Sequence, residues 1–224
     1  MSKDVVVFDM DGTLLDTERI YQEYWKISAH ELGYDMLTAE DMLEFRSLGK
    51  KRAKKLMWEK TGDEDSYVKI RKHRFELMDP FLEKNGIPLK PGVMEALRKL
   101  KEAGFSLAVA TGTVADRSEA FLEGLGLSHF FEYIISTENV ENGKPEPDVY
   151  LYVCDRLDVD PKITFAVEDS PNGIMSAANA GCRVVMIPDI TPPEKELEEH
   201  IEYVADDLIE AADYIIKSKL GEDD

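Results

Sequence analysis

The stretch Val5-Val6-Val7-Phe8-Asp9-Met10-Asp11-Gly12-Thr13 decides the reading of this chain. Its opening run of four apolar residues is too short for a buried helix and suits a strand covered on both faces. The run stops at an acid, followed by turn-forming chemistry: a second acid, a glycine and a hydroxyl. Asp9 and Asp11 stand two apart, so along extended chain they share a side while Met10 points away. In an open parallel sheet a ligand site lies beyond the carboxyl ends of the strands. Two carboxylates at such an end are therefore candidates for chemistry.

Outward from this stretch, four more short apolar runs bounded by turn residues predict strands over 106–110, 133–136, 164–167 and 183–187. Between them, helices are predicted over 93–103, 114–125, 148–157 and 173–180. Pro91-Gly92 introduces the first of these helices, and Gly104 stands where it should stop. Strands alternating with helices imply right-handed crossovers and a parallel sheet covered on both faces. The fold class is α/β, a doubly wound parallel sheet.

Residues 16–88 break the alternation. Helices are predicted over 20–32, 38–45, 50–61 and 65–84, with no credible strand among them. An all-α block between the first and second strands reads as an inserted cap, leaving 1–15 and 89–224 as the core. The two linkers, around 14–18 and 86–89, are then the expected hinges.

Composition limits the partners. The 224 residues include 27 Lys plus Arg against 46 Asp plus Glu, a formal net charge of −19, which argues against nucleic acid and anionic membranes. The deficit is uneven: residues 189–224 hold 13 acidic and three basic side chains, whereas 16–88 hold 15 and 14. The acidic tail reads as a solvated helical surface, and the cap places positive charge in an anionic protein. Two cysteines, Cys154 and Cys182, are too few for a disulfide-stapled domain or a Cys-rich zinc site. Val5–Phe8 is too short for a signal-peptide core or a membrane span, so the expectation is a cytoplasmic protein.

Each predicted strand end adds to one site. The first supplies Asp9 and Asp11, the second Thr111-Gly112-Thr113, the fourth Glu168-Asp169, and the turn after the third leads to Lys144-Pro145. Glu168 and Asp169 make little sense without a cation, since carboxylates about 4 Å apart repel by about 4 kcal/mol at an effective dielectric of 20. Asp9 in the same pocket worsens the repulsion. A hard, oxygen-preferring ion such as Mg²⁺ relieves it.

With these motifs, and with Glu168-Asp169-Ser170-Pro171-Asn172-Gly173-Ile174 running into Ala177-Ala178 and Ala180-Gly181, the chain resembles the haloacid dehalogenase superfamily. The resemblance is to its Mg²⁺-dependent branch of β-phosphoglucomutase-like phosphatases, and covers almost the whole chain. It implies a Rossmann-like core with a helical cap, acting on a small phosphate ester through an aspartyl phosphate. Asp9 would be the nucleophile and Asp11 the acid and base, with Thr111 and Lys144 binding and stabilising the transferring group. Asp9, Asp11 (through its backbone carbonyl), Glu168 and Asp169 would hold Mg²⁺. Thr13, Gly112 and Thr113 would assist at the phosphate end, and Arg46 of the cap would meet the distal part of the substrate. Lys72 and His73 are further cap candidates.

Departures from the mutase pattern favour water as acceptor. Tyr21 stands where the mutase has a cap histidine, and Val114 where it has a lysine. Phosphoglucomutase-type transfer remains the competing reaction. A non-catalytic regulator that binds a phospho-metabolite is the third alternative, although no nucleophile or metal ligand is missing. Cap core is the expected place of Trp25, Trp58, Met36, Met42, Met57 and Met78, while His30, His129 and His200 have no ligand spacing. Monomer is the simplest expectation.

Overall fold

The computed structural model describes residues 3–193 and 195–221. Six parallel strands form one sheet: β1 (Val5–Phe8), β2 (Ser106–Thr111), β3 (Phe131–Ser136), β4 (Thr164–Glu168), β5 (Arg183–Met186) and β6 (Tyr203–Val204). Their order is β3-β2-β1-β4-β5-β6, so the chain leaves the central strand in one direction and then returns to build the other half. The switch lies between β1 and β4, beyond whose carboxyl ends a ligand crevice is expected.

β1 explains the layering. Val6 and Phe8 enter one apolar layer, with α5 (Val93–Glu102) and α9 (Leu208–Leu220), while Val5 and Val7 enter the other, with α7 (Asp148–Leu157) and α8 (Pro171–Ala180). Met10 continues the first set, and it is fully buried there. The alternation thus turns Asp9 away from Met10, as the period of two requires. α6 (Ala115–Gly124) covers the sheet beside β3.

Between β1 and β2 the chain forms four helices, α1 (Glu18–Glu31), α2 (Ala39–Glu44), α3 (Lys50–Thr61) and α4 (Ser66–Asn85). They share a separate apolar cluster built from Trp25, Met42, Phe45, Met57, Ile70 and Met78. The two linkers lie against each other: Asp16 N donates to Pro88 O at 2.9 Å and Lys90 N to Leu14 O at 3.0 Å. A bridge also pairs Leu15 with Leu89.

Three expectations need correction. The acidic tail is more than solvated surface, because Leu208, Ala211, Ala212 and Ile215 of α9 are buried against the sheet and α5. Its acids occupy the opposite stripe of an amphipathic helix. Trp58 and Met36 are not cap core: they are 47% and 54% exposed. Trp58 directly follows the fully buried Met57 on α3, and adjacent helical positions do not share a face. β6, two residues long, was too short to register as an apolar run. No helix among the described residues is long and apolar enough to cross a membrane.

Candidate active site

The carboxyl ends of β1, β2 and β4 bring Asp9, Asp11, Thr111, Gly112, Thr113, Glu168 and Asp169 together, and the loop after β3 adds Lys144. Local chain chemistry makes this convergence possible. Gly12 has φ +89°, and a Cβ there would collide with Asp169 Oδ2, so the turn carries a glycine for conformation and for space. Gly173 is packed against the Glu168 carboxylate in the same way. Ser170 caps α8 by accepting from Gly173 N at 3.2 Å, fixing the turn that follows the acidic pair.

Lys144 is fully buried, and its ammonium donates to Asp9 Oδ1 and Glu168 Oε1, both at 2.6 Å, and to Ala110 O at 3.0 Å. Burial pulls its pKa down, but Asp9 and Glu168 outweigh that and hold the ammonium more basic than an ordinary lysine. The Tyr150 hydroxyl donates to the same Glu168 oxygen at 2.6 Å, and its ring lies 5.3 Å from Lys144 Nζ. Tyr150 has no counterpart in the sequence reading; only its position in α7 after Lys144-Pro145 hinted at it.

Asp9, Glu168 and Asp169 each place one oxygen within 4.8 Å of the others, and all three are buried. Burial raises the Asp9 carboxyl well above the ordinary range, Lys144 opposes it, and Glu168 and Asp169 reinforce it. Asp169 is likewise raised by burial, against the pull of Arg46. Asp9 Oδ2 is buried without a hydrogen-bond partner among the described residues. A triad of crowded, desolvated carboxylates fits a hard divalent cation by its donor chemistry.

Asp11 has both oxygens engaged by hydroxyls, Oδ1 by Thr17 at 2.6 Å and Oδ2 by Thr113 at 2.7 Å. Thr17 lies in the linker that leads into the helical block, so one hydrogen bond ties that linker to Asp11. The Thr111 hydroxyl accepts from Thr113 N at 3.0 Å, which shapes the loop and uses an N–H otherwise free for an anion. Thr13 donates to Asp169 Oδ1 at 3.4 Å. Thr13, Thr111, Lys144, Glu168 and Asp169 thus stand behind the cavity wall, while Asp9, Asp11, Gly112 and Thr113 line it.

Arg46 is 3% exposed and reaches out of the cap into the acidic cluster. It bonds to Asp169 and Thr191, and its Nε donates to Glu18 Oε2 at 3.2 Å. Glu18, which the sequence reading missed, is pushed up to about 7 by burial, against the pull of Arg46 and with help from Asp11 and Asp9. Arg46 therefore latches the cap to the core as well as lining the cavity. Two further contacts close the same seam. Asn172 Nδ2 donates to Arg46 O at 2.8 Å, and Gly49 N to Lys144 O at 2.8 Å.

The cavity beneath the cap measures about 400 Å³, a size suited to a small metabolite. From α4 it takes Tyr67, Arg71, Arg74 and Phe75 rather than the expected Lys72 and His73. Those two point to the surface, where Lys72 meets Glu76 and His73 meets Glu31. Lys50 and Lys51 at the start of α3 also line it, as do Tyr21 and Trp25.

Comparison with known proteins agrees with this arrangement. Residues 6–187 match the haloacid dehalogenase-like hydrolase family. The chain is 34% identical over 184 residues to a phosphorylated carbohydrates phosphatase of Thermotoga maritima, covering 80% of this chain and 82% of the relative. It is 32% identical over 196 residues to hexitol phosphatase A of Escherichia coli, covering 86% and 87%. Among solved structures, CbbY from Rhodobacter sphaeroides in complex with phosphate superposes with a TM-score of 0.77 at 29% identity, covering 94% and 96%. With nearly all of the sheet and every acid of the site inside the matched segment, the chain belongs to the haloacid dehalogenase-like hydrolases, and it is an enzyme of that family.

Proposed function

We propose that this protein is a Mg²⁺-dependent phosphatase that hydrolyses a small phosphorylated metabolite, with residues 16–88 acting as a movable cap. The observation that carries the reading is the state of Asp9. Lys144 holds Oδ1 at 2.6 Å, and Oδ2 is buried beside the cavity with no partner among the described residues. That is how a carboxylate nucleophile should be presented: next to an ammonium that works against the effect of burial on its charge, oriented through one oxygen and free at the other. The relatives named as phosphatases of phosphorylated carbohydrates and of hexitols support the substrate class.

In the first step an Asp9 oxygen bonds to phosphorus while the ester P–O bond breaks, and Asp11 gives its proton to the departing oxygen. In the second, water attacks phosphorus, Asp11 takes its proton, and the bond to Asp9 breaks to release phosphate. Such acid–base help is worth about 10²–10⁴ in rate. Gly112 at the cavity wall and Lys144 behind Asp9 supply positive potential to the equatorial oxygens, and positioning does most of the remaining work. Asp9, Glu168 and Asp169 would hold Mg²⁺, with Asp11 contributing its backbone carbonyl. The ion, when bound, neutralises charge on the transferring group.

The cap excludes water during the first step and must admit it for the second. Hydrolysis is favoured over mutase chemistry because Tyr21 and Val114 line the cavity where a histidine and a lysine would be needed. The test is phosphate release from a panel of phosphorylated sugars and polyols, with Mg²⁺ and after EDTA. Turnover should vanish with EDTA, return on adding Mg²⁺, and be abolished in Asp9→Asn. Absence of Mg²⁺-dependent release from every ester would overturn the reading, as would isomerisation of glucose 1-phosphate faster than phosphate appears.

A further inference from the structure

The cap end of the cavity holds two guanidinium groups without a carboxylate partner among the described residues. Arg74 is 8% exposed and makes no hydrogen bond among the described residues, and its Nε is completely buried. It is held instead by aromatic faces, at 4.7 Å from the Tyr21 ring centroid, 4.6 Å from Trp25 and 4.7 Å from Phe75. Arg71, one turn earlier on α4, lies 4.8 Å from the same Phe75 ring and also lacks an acidic partner among the described residues. Both line the cavity whose other end is Asp9.

This arrangement is unusual for buried cations, which are normally paired. Elsewhere in this protein the rule is kept: Arg46 is taken by Glu18 and Asp169, Arg117 by Asp79 at 2.7 Å, and Lys144 by Asp9 and Glu168. Burial draws Arg74 down to about 10, which leaves it protonated at neutral pH. Tyr21 also lines the cavity, and its ring is one of the faces on which Arg74 rests. An uncompensated pair of guanidiniums facing a cavity in a protein of net charge −19 is a seat for an anion.

Resting on the phosphatase reading above, we infer that the substrate carries a second anionic group, a phosphate or a carboxylate, at the end remote from the scissile ester. Arg74, with Arg71, binds that group. Planar guanidiniums suit either oxyanion through paired N–H donors, whereas a neutral sugar hydroxyl would leave both charges uncompensated. The site therefore selects among phosphorylated metabolites by their far end, and the pair acts mainly on KM.

The probes are two matched sets: fructose 1,6-bisphosphate against fructose 1-phosphate, and 6-phosphogluconate against glucose 6-phosphate. The anionic member of at least one set should have the higher kcat/KM by about tenfold to a hundredfold, the range expected for charge-assisted hydrogen bonds. Preference in the first set alone identifies phosphate as the distal group, and preference in the second alone identifies carboxylate. Arg74→Gln should erase most of the preference, raising KM for the anionic member of the set at least about tenfold more than for its neutral-ended partner, while Arg74→Lys should retain part of it. Because Arg74 is buried, Arg71→Gln serves as the second variant, and it should lower the same preference without affecting folding.

Binding is measured independently by calorimetry on the Asp9→Asn protein with Mg²⁺, so a distal preference can be seen even if no ester is turned over. Equal affinity for both members of both sets overturns the inference. So does a loss in the Arg variants that falls equally on charged and neutral-ended esters. Failure of phosphate release with the binding preference intact would instead refute the phosphatase reading alone.

Discussion

Replacement of Lys144 by Met tests the electrostatic core of the site. The side chains are similar in volume, and the change removes one buried charge while leaving Asp9, Glu168 and Asp169 in place. At an effective dielectric of 20, carboxylate oxygens within 4.8 Å of one another repel by at least about 3 kcal/mol per pair, and each ammonium contact at 2.6 Å attracts by about 6 kcal/mol. Most of that gross attraction is spent on desolvation. Breaking a buried pair from one side nonetheless costs about 3–5 kcal/mol, because the remaining charges stay buried. For a chain of this length about 1 kcal/mol moves the melting temperature by about 2–4 °C. Lys144→Met should therefore melt about 6–20 °C lower than wild type by scanning calorimetry in EDTA. The double variant Lys144→Met/Glu168→Gln removes one of the stranded acids and should recover about half of the loss. If the single variant melts within 2 °C of wild type, or the double variant is no more stable than the single, Lys144 does not neutralise this pocket.

Gly49→Ala probes closure. Gly49 has φ −56°, which alanine accepts, but a Cβ there would lie 2.7 Å from Gly143 Cα across the cap–core seam. Overpacking costs about 1–3 kcal/mol, so kcat/KM should fall about five- to hundredfold with little change in melting temperature. Full activity would show that the seam opens or shifts without cost. Asp11→Asn should slow a sugar ester far more than p-nitrophenyl phosphate, whose leaving group needs no proton; equal losses would remove Asp11 from the acid role. The Asp63 carboxyl, held by Lys69, the Tyr34 hydroxyl and Asp65 N, is lowered from 3.8 to about 2. Its folded value lies below its unfolded one, so its contribution to stability is present above about pH 4 and is lost as pH falls toward 2. A carbon-detected NMR titration checks this, and a midpoint near 3.8 would contradict it.

What the sequence made legible was strand ends; what it hid was helix faces. β1 matches its expected span residue for residue, because four apolar residues stopped by an acid leave no other register. The motifs that follow the strands come together for the same reason: a parallel sheet aligns the carboxyl ends of its strands whatever the loops do. The cap offers no such constraint. Lys69-Ile70-Arg71-Lys72-His73-Arg74 carries cations on nearly every side of α4, so composition alone cannot tell Arg71 and Arg74, which line the cavity, from Lys72 and His73, which do not. Trp25 and Trp58 show the same limit. Both suit a cap core by residue type, yet Trp25 is buried in it and Trp58 is 47% exposed. Only the docking of the helices decides such faces, and that is tertiary information.

The two ends of the cavity handle charge in opposite ways, and the contrast bears on specificity. At the core end every buried cation is neutralised by acids, so Lys144 and Arg46 give rigidity and a defined nucleophile at the expense of free positive charge. At the cap end the partners of Arg74 are π faces, which stabilise a cation by up to about 2 kcal/mol when desolvated yet carry no net charge of their own. A carboxylate in their place would stabilise the arginine more, but an incoming anion would first have to displace it. Aromatic solvation thus keeps the guanidinium ordered and buried while leaving its charge available. Adding an acid at this wall, as in Tyr21→Glu, should pair Arg74 internally and abolish discrimination by the distal group. The melting temperature should then hold or rise, a combination that loss of packing alone would not produce.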